Sequence, residues 1–113
     1  MMSTNDNWQD LCALNDLVPG SGVAAKLGDE AVALFWPKAD QPQVYALAHR
    51  DPFSRAEVLA WGLLCEQQGE WSVASPLYKQ HFRLRDGVCL EQPELALRTW
   101  PVRVKGDRVE VAM

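Results

Sequence analysis

The stretch Val102-Arg-Val-Lys-Gly-Asp-Arg-Val-Glu-Val-Ala112 alternates apolar and charged residues on both sides of a Gly106-Asp107 pair. Alternation of this kind is the period of a β-strand, and a two-residue link with glycine first has type II′ chemistry, whose twist suits a hairpin. With Gly106-Asp107 as the loop, Lys105 pairs with Arg108, Val104 with Val109, Arg103 with Glu110 and Val102 with Val111. The valines then share one face, and an opposite-charge pair sits on the other. A slip of one residue would scatter both sets, so the register is specified and this end of the chain is committed to antiparallel sheet.

The same reading extends upstream. Gly28-Asp29 joins Val23–Leu27 to Glu30–Trp36, and the second of these strands is apolar on both faces (Ala31, Ala33 and Phe35 against Val32, Leu34 and Trp36), as expected of a central strand covered twice. Trp8–Leu14 and Gln43–Ala48 are further strands, the latter bounded by Pro42. Leu63–Gln67 and Glu70–Ala74 form a hairpin over Gln68-Gly69, and Asp86-Gly87 carries a type I′ signal joining His81–Arg85 to Val88–Leu90. Seven prolines and seven glycines punctuate these runs, at the roughly ten-residue spacing of an all-β domain. One short helix is expected near residues 54–61. Ser54-Arg-Ala-Glu57 has capping-box spacing, Phe53 and Val58 stand as a hydrophobic staple, and Gly62 is a stop.

A length of 113 residues sets the expectation of one domain, 1–113, with the polar residues 1–7 flexible. The hydrophobic fraction of 48% supplies a core, and the 23% charged fraction is that of a folded chain rather than a disordered one. No apolar run approaches the ~20 residues of a spanning helix, and the N-terminus shows no basic start followed by an apolar segment. A cytoplasmic protein without a membrane partner is expected. The net charge of −4 argues against nucleic acid as a partner, since phosphate binding needs a basic face. Cys12, Cys65 and Cys89 lie far apart and form no Cys-x-x-Cys pair, so they read as reduced thiols. His49, Asp51 and His81 have no enforced convergence on a metal, Ser75 has no histidine at a recognisable spacing, and Gly20-Ser-Gly22 reads as a turn. No catalytic, cofactor-binding or metal residue is expected.

Two stretches carry a resemblance: Val44-Tyr-Ala-Leu-Ala-His-Arg-Asp-Pro-Phe53, and Ala74-Ser-Pro-Leu-Tyr-Lys-Gln-His-Phe-Arg-Leu-Arg-Asp-Gly-Val-Cys89. They resemble the two cluster-binding loops of Rieske iron–sulfur domains, in which Cys-x-His and Cys-x-x-His supply the ligands. Asp16-Leu-Val-Pro-Gly20 resembles that superfamily's early turn, and Leu97-Arg-Thr-Trp-Pro-Val-Arg-Val104 its closing strand. The combination is similar to the small subunits of assimilatory NAD(P)H-dependent nitrite reductases. The resemblance implies an all-β, Rieske-like antiparallel sandwich or barrel in which residues 48–85 form a loop-rich, vestigial cluster-binding subdomain. It also places Asp51, Phe53, Ser75 and Tyr78 at the four ligand positions. A [2Fe–2S] centre of this type takes two thiolates and two imidazoles, so no cluster is expected here. Phe53, Leu77 and Tyr78 would fill the space instead. The implied role is that of an accessory subunit in the assimilatory reduction of nitrite to ammonia. Its partner would be a large subunit that holds FAD, iron–sulfur and sirohaem centres. A Rieske-type ferredoxin serving an oxygenase, and a free-standing protein-binding domain, are the alternatives.

The charges near those loops are uneven. Arg50, Arg55, Lys79, Arg83 and Arg85 are five of the eleven basic residues, and Asp51 is the one acid within His49–Arg55 and Lys79–Arg85. Period-two alternation sets Lys79, His81, Arg83 and Arg85 on one face, opposite Phe82 and Leu84. Arg50, Arg55, Lys79, His81, Arg83 and Arg85 are therefore the expected docking set for an acidic partner patch. The five tryptophans are expected mostly in the core, and any exposed one as an interface anchor.

Overall fold

A computed structural model describes residues 8–112; the expectation for residues 1–7 falls outside them. Ten strands run in the order β1 (Trp8–Ala13), β2 (Ser21–Leu27), β3 (Glu30–Trp36), β4 (Tyr45–Ala48), β5 (Leu63–Gln67), β6 (Glu70–Ala74), β7 (His81–Arg83), β8 (Thr99–Trp100), β9 (Val102–Lys105) and β10 (Arg108–Ala112). They form three antiparallel sheets with strand orders β1-β10-β9, β2-β3-β4-β8 and β5-β6-β7.

The C-terminal hairpin has the register that its alternation demands, from Arg108 opposite Lys105 to Val111 opposite Val102. Gly106 takes φ 63° while Asp107 stays out of the left-handed region, as a type II′ turn requires. Leu27 opposite Glu30 closes the β2–β3 hairpin, and β5–β6 closes over Gln68 and Gly69, both left-handed at φ 54° and 81°.

β3 is the strand that organises the interior. Val32 and Leu34 point into one cluster, with Leu17, Leu27, Val44, Ala46, Trp100, Val109 and Val111. Ala33 and Phe35 point into the other, with Leu47, Leu59, Val73, Phe82, Leu84 and Cys89. The first cluster is shared with β10 and the second with β6 and β7. The four-stranded sheet is therefore covered on both faces, which explains the unbroken apolar run of β3. Burial of each large side chain here stabilises the fold by about 2 kcal/mol.

Three local expectations are corrected. The helix near 54–61 is absent, and a single 3-10 turn over Leu59–Trp61 stands in its place. Arg55 sits at φ 66°, which ends any right-handed helix, and the Ser54 hydroxyl accepts from Ala56 N–H rather than from a helical first turn. The Asp86-Gly87 link is wider than a two-residue turn. Gly87 N–H donates to Arg83 O and Arg83 N–H to Val88 O, so β7 stops at Arg83. The Asp86 carboxylate fixes this shape by accepting from Val88 N–H and from Arg83. Finally, the segment 97–104 divides into β8 and β9 at Pro101, which has no N–H to continue a ladder.

Candidate functional site

Two loops of the same construction meet beside the β5-β6-β7 sheet. In the first, Asp51 N–H donates to Ala56 O and Arg55 N–H donates to Asp51 O. In the second, Ser75 N–H donates to Gln80 O and Lys79 N–H donates to Ser75 O. Each loop has proline at its second position, Pro52 or Pro76, which presets φ. Each has a left-handed residue at its fifth, Arg55 at φ 66° and Lys79 at φ 65°. A shared backbone path thus presents Asp51 and Ser75 at equivalent places.

Those two side chains face each other. Asp51 and Ser75 are buried, and the Ser75 hydroxyl donates to Asp51 Oδ2 at 2.5 Å across 24 residues of sequence. The other carboxyl oxygen accepts from Phe53 N–H at 2.9 Å. The carboxyl is spent on closing its own loop and joining the second, which leaves no outward oxygen. Phe53 is half-buried, packs against the second core cluster and lies 6.3 Å from the Phe82 ring centroid. Leu77 and Tyr78 do not fill the space between the loops as expected. They point outward at 51% and 59% exposure, because the Asp51–Ser75 contact already closes that gap.

His49, directly after β4, is also buried. Its Nδ1 accepts from Ala60 N–H at 3.1 Å, which fixes the neutral tautomer with the proton on Nε2. Burial pushes its pKa below the usual histidine value, and the charge of Glu57 opposes that shift. The ring lies 4.9 Å from that of Trp61, centroid to centroid. His81 is elsewhere, bonded through Nδ1 to Glu91 at 2.8 Å, so the two histidines and Asp51 do not converge. Among the described residues no group of three acidic, histidine or cysteine side chains is placed to hold a metal. The cysteines lie outside both loops: Cys12 in β1, Cys65 in β5 and Cys89 in the core.

The basic residues separate into two kinds. Arg83 pairs with Asp86 at 2.7 Å and holds that carboxyl below its ordinary pKa, while Arg85 pairs with Glu70 at 2.9 Å. His81 and Arg83 flank buried Phe82 on β7, whereas Arg85 lies in the turn beyond the strand. Arg50, Arg55 and Lys79 are exposed and have no ion-pair partner among the described residues. Sequence reasoning sees the cations but not the acids, since Glu70 and Glu91 reach them only through the register of β6, β7 and the segment after Cys89.

Sequence reasoning also misses an apolar shelf. Trp61 is 64% exposed and Leu63 75%, and they border a groove of about 440 Å³ with Cys65, Ala74, Pro76 and Lys79. Close packing fixes their position. A Cβ on Gly62 would lie 2.3 Å from Ala74 O, so only glycine lets the 3-10 turn press against β6. The doublet Leu63-Leu64 was the available signal, because adjacent residues of a strand face opposite ways and one leucine must point out.

The Rieske-like [2Fe-2S] domain family matches residues 7–112. The chain is 46% identical over 104 residues to the nitrite reductase (NADH) small subunit of Escherichia coli K12, covering 92% of this chain and 95% of that one. It is 45% identical, over 92% of its length, to 11% of the nitrite reductase [NAD(P)H] large subunit of Klebsiella oxytoca. Among solved structures, the NMR structure of the E. coli protein NirD matches with a TM-score of 0.86 at 45% identity, covering 94% of this chain and 96% of that one. The ferredoxin of carbazole 1,9a-dioxygenase from Nocardioides aromaticivorans matches with a TM-score of 0.76 at 25% identity, covering 95% and 98%.

Proposed function

This chain belongs to the Rieske-like [2Fe-2S] domain family, and we propose that within it the chain is the accessory small subunit of an NAD(P)H-dependent nitrite reductase. The observation that carries the reading is 46% identity to the named E. coli small subunit across 92% of this chain and 95% of that one. In this role it works in the cytoplasm, in the reduction of nitrite to ammonia for assimilation. The catalytic work falls to a large subunit that holds FAD, iron–sulfur and sirohaem centres. A 45% identical stretch within a much longer chain named nitrite reductase [NAD(P)H] large subunit supports that partnership.

The side chains of the two loops do not fit a [2Fe–2S] centre. A Rieske cluster takes two thiolates and two imidazoles. The 51–56 and 75–80 loops contain neither residue type, and Asp51 is committed to Phe53 N–H and the Ser75 hydroxyl. In our reading residues 48–85 are a vestigial cluster subdomain whose four ligand positions are held by Asp51, Phe53, Ser75 and Tyr78. Such a chain relays no electrons and contributes binding or positioning. The ferredoxin-like fold supports a shared scaffold, and the donor set separates the two functions.

Co-expression with its large subunit tests the reading. The small chain is expected to co-purify with nitrite-dependent NAD(P)H oxidation, and, produced alone with iron and sulfide, to show no visible iron–sulfur absorption. A chain that elutes apart from the reductase activity, or that carries iron and acid-labile sulfide, overturns it.

A further inference from the structure

We propose that the shelf formed by Trp61, Leu63, Pro76, Leu77 and Tyr78, with Arg50, Arg55 and Lys79 around it, is the face that docks on the large reductase subunit. The occupant it selects is an apolar projection of that subunit bordered by carboxylates. The proposal rests on the small-subunit reading above and gives it a surface.

Three observations converge on this face. Four of the large exposed apolar side chains, Trp61, Leu63, Leu77 and Tyr78, belong to the 3-10 turn, the edge strand and the second loop that meet there. Large exposed apolar side chains gathered on neighbouring elements of a small domain mark an interaction site, and tryptophan and tyrosine are the side chains that anchor interfaces. Three of the six lysines and arginines without an ion pair among the described residues, Arg50, Arg55 and Lys79, lie in or beside the same loops, although the chain as a whole carries a net charge of −4. A locally positive, apolar face on an acidic protein is complementary to an acid-rimmed apolar site and repels the same face of a second copy. Lastly, the shelf is braced by the fold itself. Gly62 seats its turn against β6, Ala60 N–H is held by His49, and Pro76 stiffens its far side. Preorganisation of this kind lowers the entropic cost of docking.

The fused relative supplies the physical reason for a dedicated face. When the domain is part of the large chain, the covalent link holds the parts together at an effective concentration of order mM. A separate small chain has no such link and must obtain its affinity from surface contacts. An exposed tryptophan and leucine over a groove of about 440 Å³ supply them.

The test measures binding of the purified chain to its purified large subunit by biolayer interferometry at low and physiological salt, with melting temperature as the folding control. Trp61→Ser and Leu63→Glu are each expected to weaken binding by about 30-fold or more, mainly in the dissociation rate. The double variant Arg55→Glu/Lys79→Glu is expected to slow association by about tenfold at low salt. Arg103→Ser, on the hairpin across the central sheet, should leave both rates unchanged. Leu63 is 75% exposed, so that variant keeps the test valid if Trp61→Ser proves unstable. Wild-type affinity in Leu63→Glu overturns the docking face while leaving the subunit reading intact. A wild-type chain that does not bind the large subunit overturns both. Self-association that Leu63→Glu abolishes would make a second copy the occupant and overturn the proposal.

Discussion

The β9–β10 hairpin and the paired loops at 51–56 and 75–80 distribute their polar and apolar groups in opposite ways. Around the hairpin, Arg103 pairs with Glu110 at 2.6 Å and stacks on Trp8, while Arg108 pairs with Asp10 at 2.8 Å. Val109 and Val111 are fully buried below them. At the loops the order is inverted: His49, Asp51 and Ser75 are inside, whereas Trp61, Leu63, Leu77 and Tyr78 are outside. A surface whose arginines are each matched to an acid and whose valines are inward makes little demand for a partner. A surface with free cations around exposed aromatics has its complement elsewhere. Stability and recognition are thus assigned to different parts of a small molecule.

The contrast breaks most sharply at Asp51. Asp51→Ala would leave the Phe53 N–H and the Ser75 hydroxyl without acceptors and separate the two loops, and it should cost about 3 kcal/mol in urea unfolding. A variant as stable as wild type would show that the buried carboxyl holds nothing together. Acidification probes the same region more gently. Burial lowers the folded-state pKa of His49, so the unfolded chain takes up a proton that the folded chain refuses. Stability should therefore fall as the pH drops through about 6.5, the ordinary histidine value, and level off once the buried ring is itself protonated. His49→Gln should flatten the melting temperature between pH 7.5 and 5.5, and an unchanged slope would assign the effect to other groups. The smallest effect is expected at the hairpin. Arg103→Ala removes an exposed ion pair and a stacked guanidinium, and should cost under about 1 kcal/mol in thermal melts. A larger loss would mean that the matched charges are structural rather than merely neutralised.

The hairpins were legible because each is encoded within a few residues. Gly106-Asp107 sets the turn, and the valines on either side admit one register. The double-sided burial of β3 was legible from its apolar run for the same reason. The turn that replaces the expected helix near 54–61 was not. The capping-box spacing of Ser54 and Glu57 is real, but the Asp51 carboxyl and backbone carbonyl, drawing in Phe53 and Arg55, enforce a different turn. The basic face on 79–85 divided for a related reason: Glu70 and Asp86 neutralise Arg85 and Arg83, and Glu70 reaches Arg85 only when β6 and β7 are paired.

By itself the sequence determined the all-antiparallel architecture and the family, since turn chemistry, alternation and the identity of each loop residue are properties of neighbours along the chain. The tertiary structure alone decided that a carboxyl would be interior and a tryptophan exterior around the loops. Asp51 is stable inside because a serine 24 positions away arrives to donate to it. Trp61 stays outside because Gly62 seats its turn flush against β6, leaving the ring beside His49 with no cavity to enter. Burial is settled by which distant groups meet, and no local pattern records that meeting.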